Sequence, residues 1–193
     1  MKIIKLTLVF LFVIFCAPLY SQQMALDNVD EFTGEKNLVT QYFYGKFEKK
    51  SDRVDEKDQM LLSIKYRKTE TGNDLYYLRV KLLFTVDFGC LSEYDGKCII
   101  LFDDGSKITF QQQSDTECTK WHYNPIYSMV DKESIKADPS TWLSIMKENF
   151  DQIIEKPIDK IRIYGTDGYN DYVLKPEMKD VLQRHAELIK SKL

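Results

Sequence analysis

The residues of this chain best equipped for chemistry are two histidines, four cysteines and two aspartate-rich turns. His122 lies in an aromatic stretch, Trp121-His122-Tyr123-Asn124-Pro125. A catalytic histidine needs a poised serine or cysteine and an orienting acid. The chain contains no Gly-x-Ser-x-Gly elbow. His185 follows Val181 and Leu182 at helical spacing, so it borders an apolar stripe and reads as a packed or half-exposed histidine. Asp103 and Asp104 are the acid types that a glycosidase pairs, but Asp103-Asp104-Gly105-Ser106 is turn chemistry. An exposed turn does not supply the apolar surroundings that raise an acid's pKa. Asp167, Asn170 and Asp171 offer oxygen ligands for a weak calcium site, without the twelve-residue ligand pattern of an EF-hand. Phosphate-loop, dinucleotide and His-Glu-x-x-His motifs are absent. The expectation is no assigned catalytic residue and no cofactor. The remaining ligand-binding candidates are Trp121, His122, Tyr123 and Tyr127. Clustered around Pro125 among polar neighbours, they suit stacking on a sugar ring or a partner. The competing reading is a loop pinned to the core by its own rings.

The first residues match a secretory leader. Lys2 and Lys5 form the positive region, Leu6 to Phe15 the apolar region, and Ser21 is a small residue before a cut. The expected division is a signal peptide over 1–21 and one domain over 22–193. The apolar run is shorter than the ~20 residues that span a bilayer. Losing Lys2 and Lys5 takes Lys+Arg from 27 to 25 against 30 Asp+Glu, a net charge of −5. That balance argues against nucleic acid or an anionic membrane as partner, and no later stretch is apolar enough to span. Export to the periplasm, the cell surface or beyond brings an oxidising compartment, so one disulfide is expected among Cys90, Cys98 and Cys118. The hairpin register points to Cys90–Cys118, with Cys90–Cys98 the rival. Cys98 shares its parity with Ile100 and Phe102 and reads as a buried thiol. The spacing fits no zinc finger.

The elements that must position these residues follow from period. Tyr76, Leu78, Val80, Leu82, Phe84, Val86 and Phe88 share one face of a long strand, with Arg79, Lys81, Thr85 and Asp87 on the other. Met60, Leu62, Ile64 and Tyr66 alternate in the strand before it. Cys98–Phe102 and Lys107–Gln111 flank Asp104-Gly105, a strong hairpin signal. A two-residue loop there would set Leu101 against Ile108 and Ile99 against Phe110. Gln59 to Gln113 is thus expected to be a four-strand antiparallel meander. Gln22 to about Lys36 reads as loosely held, and Asn37 to Lys49 as a bent strand or strand pair broken at Gly45. Ile126 to Val130 reads as a short strand. Asp138 and Pro139 read as the cap and first residue of a helix burying Trp142, Met146, Phe150 and Ile153. Ile158–Tyr164 and Asp171–Leu174 read as paired strands around a turn, and Pro176 opens a last helix. The predicted fold is α+β, a mostly antiparallel meander sheet covered by two helices.

Three short stretches, Asp30-Glu31-Phe32-Thr33-Gly34, Phe102-Asp103-Asp104-Gly105-Ser106 and Lys160-Ile161-Arg162-Ile163-Tyr164, carry a resemblance. In their order the chain resembles uncharacterised exported β-rich proteins of Gram-negative bacteria. The resemblance implies export and a compact β-rich domain, and brings no activity and no site residues. The expected function is an exported, non-enzymatic binding or scaffolding protein with a protein or glycan partner. The alternatives are a glycan-binding module built on the Trp121 loop and a carboxylate-dependent hydrolase.

Overall fold

The computed structural model describes residues 23–44, 47–50, 59–83, 96–112, 126–138, 140–165 and 168–193. Among them run eleven strands: β1 (Met24–Val29), β2 (Lys36–Thr40), β3 (Phe43–Tyr44), β4 (Phe47–Lys50), β5 (Gln59–Lys68), β6 (Asp74–Leu83), β7 (Lys97–Phe102), β8 (Lys107–Gln112), β9 (Ile126–Asp131), β10 (Ile158–Gly165) and β11 (Gly168–Leu174). The helices are α1 (Lys132–Lys136), α2 (Trp142–Glu155) and α3 (Val181–Lys190), with a 3-10 turn at Pro176–Met178. No helix among the described residues is long and apolar enough to cross a membrane.

The sheet runs β1-β2-β5-β6-β9-β8-β7-β10-β11-β4, with β3 also paired to β5, and every pairing is antiparallel. β2 and β3 pair with β5, whereas β4 pairs with β11 at the far end of the path. Only Gly45 and Lys46 separate β3 from β4 in the chain. Three peptide links reach ~11 Å at most, so the two regions lie side by side and the sheet is strongly curled. Among the described residues it curls without a continuous ladder closing it.

Alternation then sorts the side chains. Met60, Leu62, Ile64 and Tyr66 of β5, Tyr76, Leu78 and Val80 of β6, and Cys98, Ile100 and Phe102 of β7 are buried in one core. Ile108 and Phe110 of β8, Ile161 and Ile163 of β10, and Tyr172 and Leu174 of β11 join them. α2 adds Met146, Phe150 and Ile153, and α3 adds Val181, Leu182, Ala186 and Ile189. α2 packs on β6, and α3 packs on α2, β5 and β2. The Phe150 ring stacks on Tyr76 at 4.2 Å and 20°. Each such side chain contributes ~1.5–3 kcal/mol on burial, which is why two short amphipathic helices stay on the sheet.

The α+β class, an antiparallel sheet covered by two helices, is as expected. Several local expectations need correction. β6 is not next to β7, because β9 pairs with both β6 and β8 and so separates them. The β7–β8 loop holds three residues, Asp103, Asp104 and Gly105: the Phe102 N–H donates to the Ser106 carbonyl and Gly105 has φ +81°. That type of turn with a left-handed glycine sets Ile100 against Ile108 and Cys98 against Phe110, one residue away from the two-residue register. The slip keeps Cys98, Ile100 and Phe102 inside, where burial is greatest. The stretch before Lys36 is held. β1 pairs with β2, and Asp30 accepts from the Phe32 and Thr33 N–H groups at 2.8 and 3.0 Å. α2 begins at Trp142 because Asp138 spends its carboxylate on Ser140 and its carbonyl on the next turn. The unexpected α1 is capped by Asp131, which accepts from Ser134 N–H at 2.8 Å.

One seam of the sheet depends on a sulfur. β6 and β9 pair from Lys81↔Ile126 to Leu78↔Met129, and beyond this β9 leaves to start α1. The Tyr76 N–H then donates to Met146 Sδ at 3.1 Å. Met146→Leu keeps the volume and loses that acceptor. We expect it to cost about 1 kcal/mol more than Met129→Leu in urea denaturation, because a buried N–H is left unpaired. Equal losses would show the sulfur to be an ordinary packing atom.

Candidate functional site

The convex side of the sheet carries the best-defined polar cluster. Lys97 on β7 stands opposite Tyr164 on β10, and Tyr164 stands opposite Tyr169 on β11. In the neighbouring row Ile99 faces Arg162, and Arg162 faces Asp171. These positions alternate with the buried Cys98, Ile161, Ile163 and Tyr172, so they point away from the core. The tight β10–β11 hairpin makes the two tyrosines neighbours: Gly165 pairs with Gly168, whose φ of +128° suits glycine.

Cations and rings interleave here. Lys97 Nζ lies 4.3 Å from the centre of the Tyr164 ring, and the Arg162 guanidinium 3.9 Å from that of Tyr169. The two tyrosine rings are 5.5 Å apart and tilted by 46°. Arg162 donates from Nε and Nη2 to the two Asp171 carboxylate oxygens, at 2.5 and 2.7 Å. It also reaches the Tyr164 hydroxyl at 3.4 Å. The Asp171 hydrogen bonds, and then that of Tyr164, raise the Arg162 pKa. Each cation–ring contact at such a site is worth ~0.5–1 kcal/mol, and the forked ion pair fixes the guanidinium in plane. Tyr169 keeps 45% of its surface exposed, so the cluster is both ordered and accessible.

The sequence-level candidates fare differently. Asn170 and Asp171 do not share a site: Asn170 is buried opposite Ile163, while its neighbour Asp171 faces outward on Arg162. Consecutive strand residues point to opposite faces, so Asn170 and Asp171 do not converge on one point. Asp167 lies outside the described residues. Among the described residues no three His, Cys, Asp or Glu side chains group as metal ligands. Trp121, His122, Tyr123, Cys90 and Cys118 also lie outside the described residues. Tyr127 stands in β9 opposite Val80. Cys98 is a buried free cysteine with its thiol pushed up to about 12 by burial, and its rival partner Cys90 lies outside the described residues.

Asp103 and Asp104 are ion-pair acids. Lys179 bridges Asp103 and Asp159 at 2.9 and 3.1 Å, and Lys156 reaches Asp104 at 3.0 Å. The Ser106 hydroxyl and N–H bonds, with Lys156, hold Asp104 down at about 2, opposite to what a general acid needs. Sequence reasoning missed Lys97, Arg162, Tyr164 and Tyr169 as a group. The available signal was Gly165-Thr166-Asp167-Gly168 read as a two-residue turn, which alone places Tyr164 opposite Tyr169.

No family model, curated protein or solved structure matches the chain.

His185 is a core residue, 3% exposed on α3, with its ring 5.0 Å from Phe43 and no hydrogen-bond partner on Nδ1. Burial, and then the charge of Arg184, lower its pKa from 6.5 to about 4. The unfolded chain therefore takes up a proton below pH 6.5 that the folded chain refuses. Stability present above 6.5 is lost as pH falls towards 4. By pH 5 the loss is ~2 kcal/mol relative to pH 7.5. Urea titrations of wild type and His185→Gln should diverge by that amount between these pH values. Parallel curves would contradict a neutral, buried His185.

Proposed function

We propose that the chain is an exported, non-enzymatic binding or scaffolding protein that presents the convex face of β7, β10 and β11 to its partner. The leader pattern at the N-terminus supports export to the periplasm or cell surface. The observation that carries the reading is the ordered row Lys97–Tyr164–Tyr169, flanked by Arg162–Asp171. Binding surfaces favour tyrosine and arginine because they offer large contact area at low entropic cost. The acids a hydrolase would use are instead tied in ion pairs, as with Asp103, Asp104 and Asp171.

A glycan is the ligand class this surface suits. Tyrosine faces stack on the apolar face of a pyranose, and an arginine–aspartate fork offers donors and acceptors to its hydroxyls. Affinity electrophoresis of residues 22–193 against soluble polysaccharides tests this. Tyr169→Ala should weaken the retarding interaction by about 5- to 30-fold, the effect of losing one central aromatic contact. Binding that survives Tyr169→Ala and Tyr164→Ala would overturn the placement. Binding abolished only by Trp121→Ala would move the site to the Trp121 loop.

A further inference from the structure

A second cluster lies on the outer face of β5 and β6. β2 stops at Thr40, whose Oγ1 takes over the ladder by accepting from the Ile64 N–H at 3.0 Å and donating to the Ile64 carbonyl at 3.4 Å. The pairing with β5 resumes one residue out of register, Phe43 opposite Leu62. This bulge sets Tyr42 on the outer face beside Ser63, the kind of re-aiming that bulges perform. Ser63 stands opposite Arg79, and Lys65 opposite Tyr77. The Arg79 guanidinium lies 5.0 Å from the centre of the Tyr42 ring, and Lys65 Nζ 5.4 Å from that of Tyr77.

Two features of this cluster are incomplete. The hydroxyls of Tyr42 and Ser63 are buried and adjacent: burial raises the Tyr42 pKa, and Arg79 and then Ser63 ease it down. Yet among the described residues neither hydroxyl has a hydrogen-bond partner of good geometry, and Ser63 is 0% exposed. Buried hydroxyls in native proteins are nearly always satisfied by protein, water or an ion. Around them stand Lys65, Arg67, Arg79 and Lys81, all half-buried. Glu35 pairs with Arg67 at 2.7 Å, and among the described residues no acid pairs with Lys65, Arg79 or Lys81. Burial, then Arg79 and Arg67, lower the Lys65 pKa, the mark of a cation held near others without a counter-charge.

We propose that Tyr42, Ser63, Lys65 and Arg79 form a binding site for a sulfate- or phosphate-type oxyanion. The hydroxyls make the floor and donate two hydrogen bonds. Lys65 and the fork of Arg79 supply the charge, and Arg79 swings off the Tyr42 ring to close on the anion. The site is independent of the tyrosine platform on β10 and β11.

Thermal melts and calorimetric titrations with inorganic sulfate and phosphate, against chloride at matched ionic strength, test the site. Wild type should show a saturable rise in melting temperature with the oxyanions beyond that with chloride. Arg79→Gln and Lys65→Gln should each weaken the affinity about tenfold or more while keeping the far-ultraviolet circular dichroism spectrum. Ser63→Ala should melt close to wild type without anion, because its hydroxyl has only its poorly aligned contact with Tyr42 to lose, and bind the anion more weakly. Methyl sulfate or methyl phosphate binding more tightly than the free ion would assign the group to a larger ligand, and the reverse to a free ion. An oxyanion response no greater than that with chloride, or one that survives both charge variants, would overturn the proposal.

Discussion

The fold depends on one stretch of chain serving two distant parts of the sheet. Residues 36–50 pair with β5 through β2 and β3 and with β11 through β4. A sheet tied in this way cannot lie flat. Its own right-handed twist supplies the direction of the curl, and the short link from Tyr44 to Phe47 sets how far it goes. The concave side then becomes the only place where α2 and α3 can bury their stripes. The core residues of eight strands and two helices converge there on one apolar cluster.

That division assigns the chemistry to the other side. Inward positions are taken by aliphatic and aromatic side chains, and even His185 is held neutral among them. Outward positions carry lysines, arginines and tyrosines on strands whose register fixes their spacing. The net charge of −3 therefore hides a segregated surface: acids outnumber cations over the whole chain, while the outer face of β5 and β6 is cationic. Strand-borne side chains are better positioned than loop-borne ones, so clusters on this face are ordered before any partner arrives.

The strands and helices were legible because their periods are strong. Tyr76, Leu78 and Val80 sort inward as their alternation requires, and so do Met146, Phe150 and Ile153 on α2. Adjacency was not legible. Nothing local in Ile126–Asp131 tells that it slips between β6 and β8, since its partners Leu78–Lys81 and Phe110–Gln112 are remote in the chain. The β7–β8 register turned on whether Asp103-Asp104-Gly105 closes as two or three residues, and both loops suit aspartate and glycine. Lys97 and Tyr164 are far apart in sequence, as are Tyr42 and Arg79, so their pairing appears only with the topology. Grouping Asn170 with Asp171 as ligands overlooked that, adjacent on a strand, they face opposite ways.

The curl itself is open to direct observation. In a nuclear Overhauser spectrum of the labelled protein, backbone cross-peaks should link Phe43 with Leu62 and, in the same species, Lys50 with Tyr172. Both sets together establish that residues 36–50 hold β5 and β11 at once, with the helices on the inside and the polar clusters on the outside. Cross-peaks from β3 to β5 without those from β4 to β11 would leave the sheet open. They would remove the reason for placing the binding chemistry on its convex face.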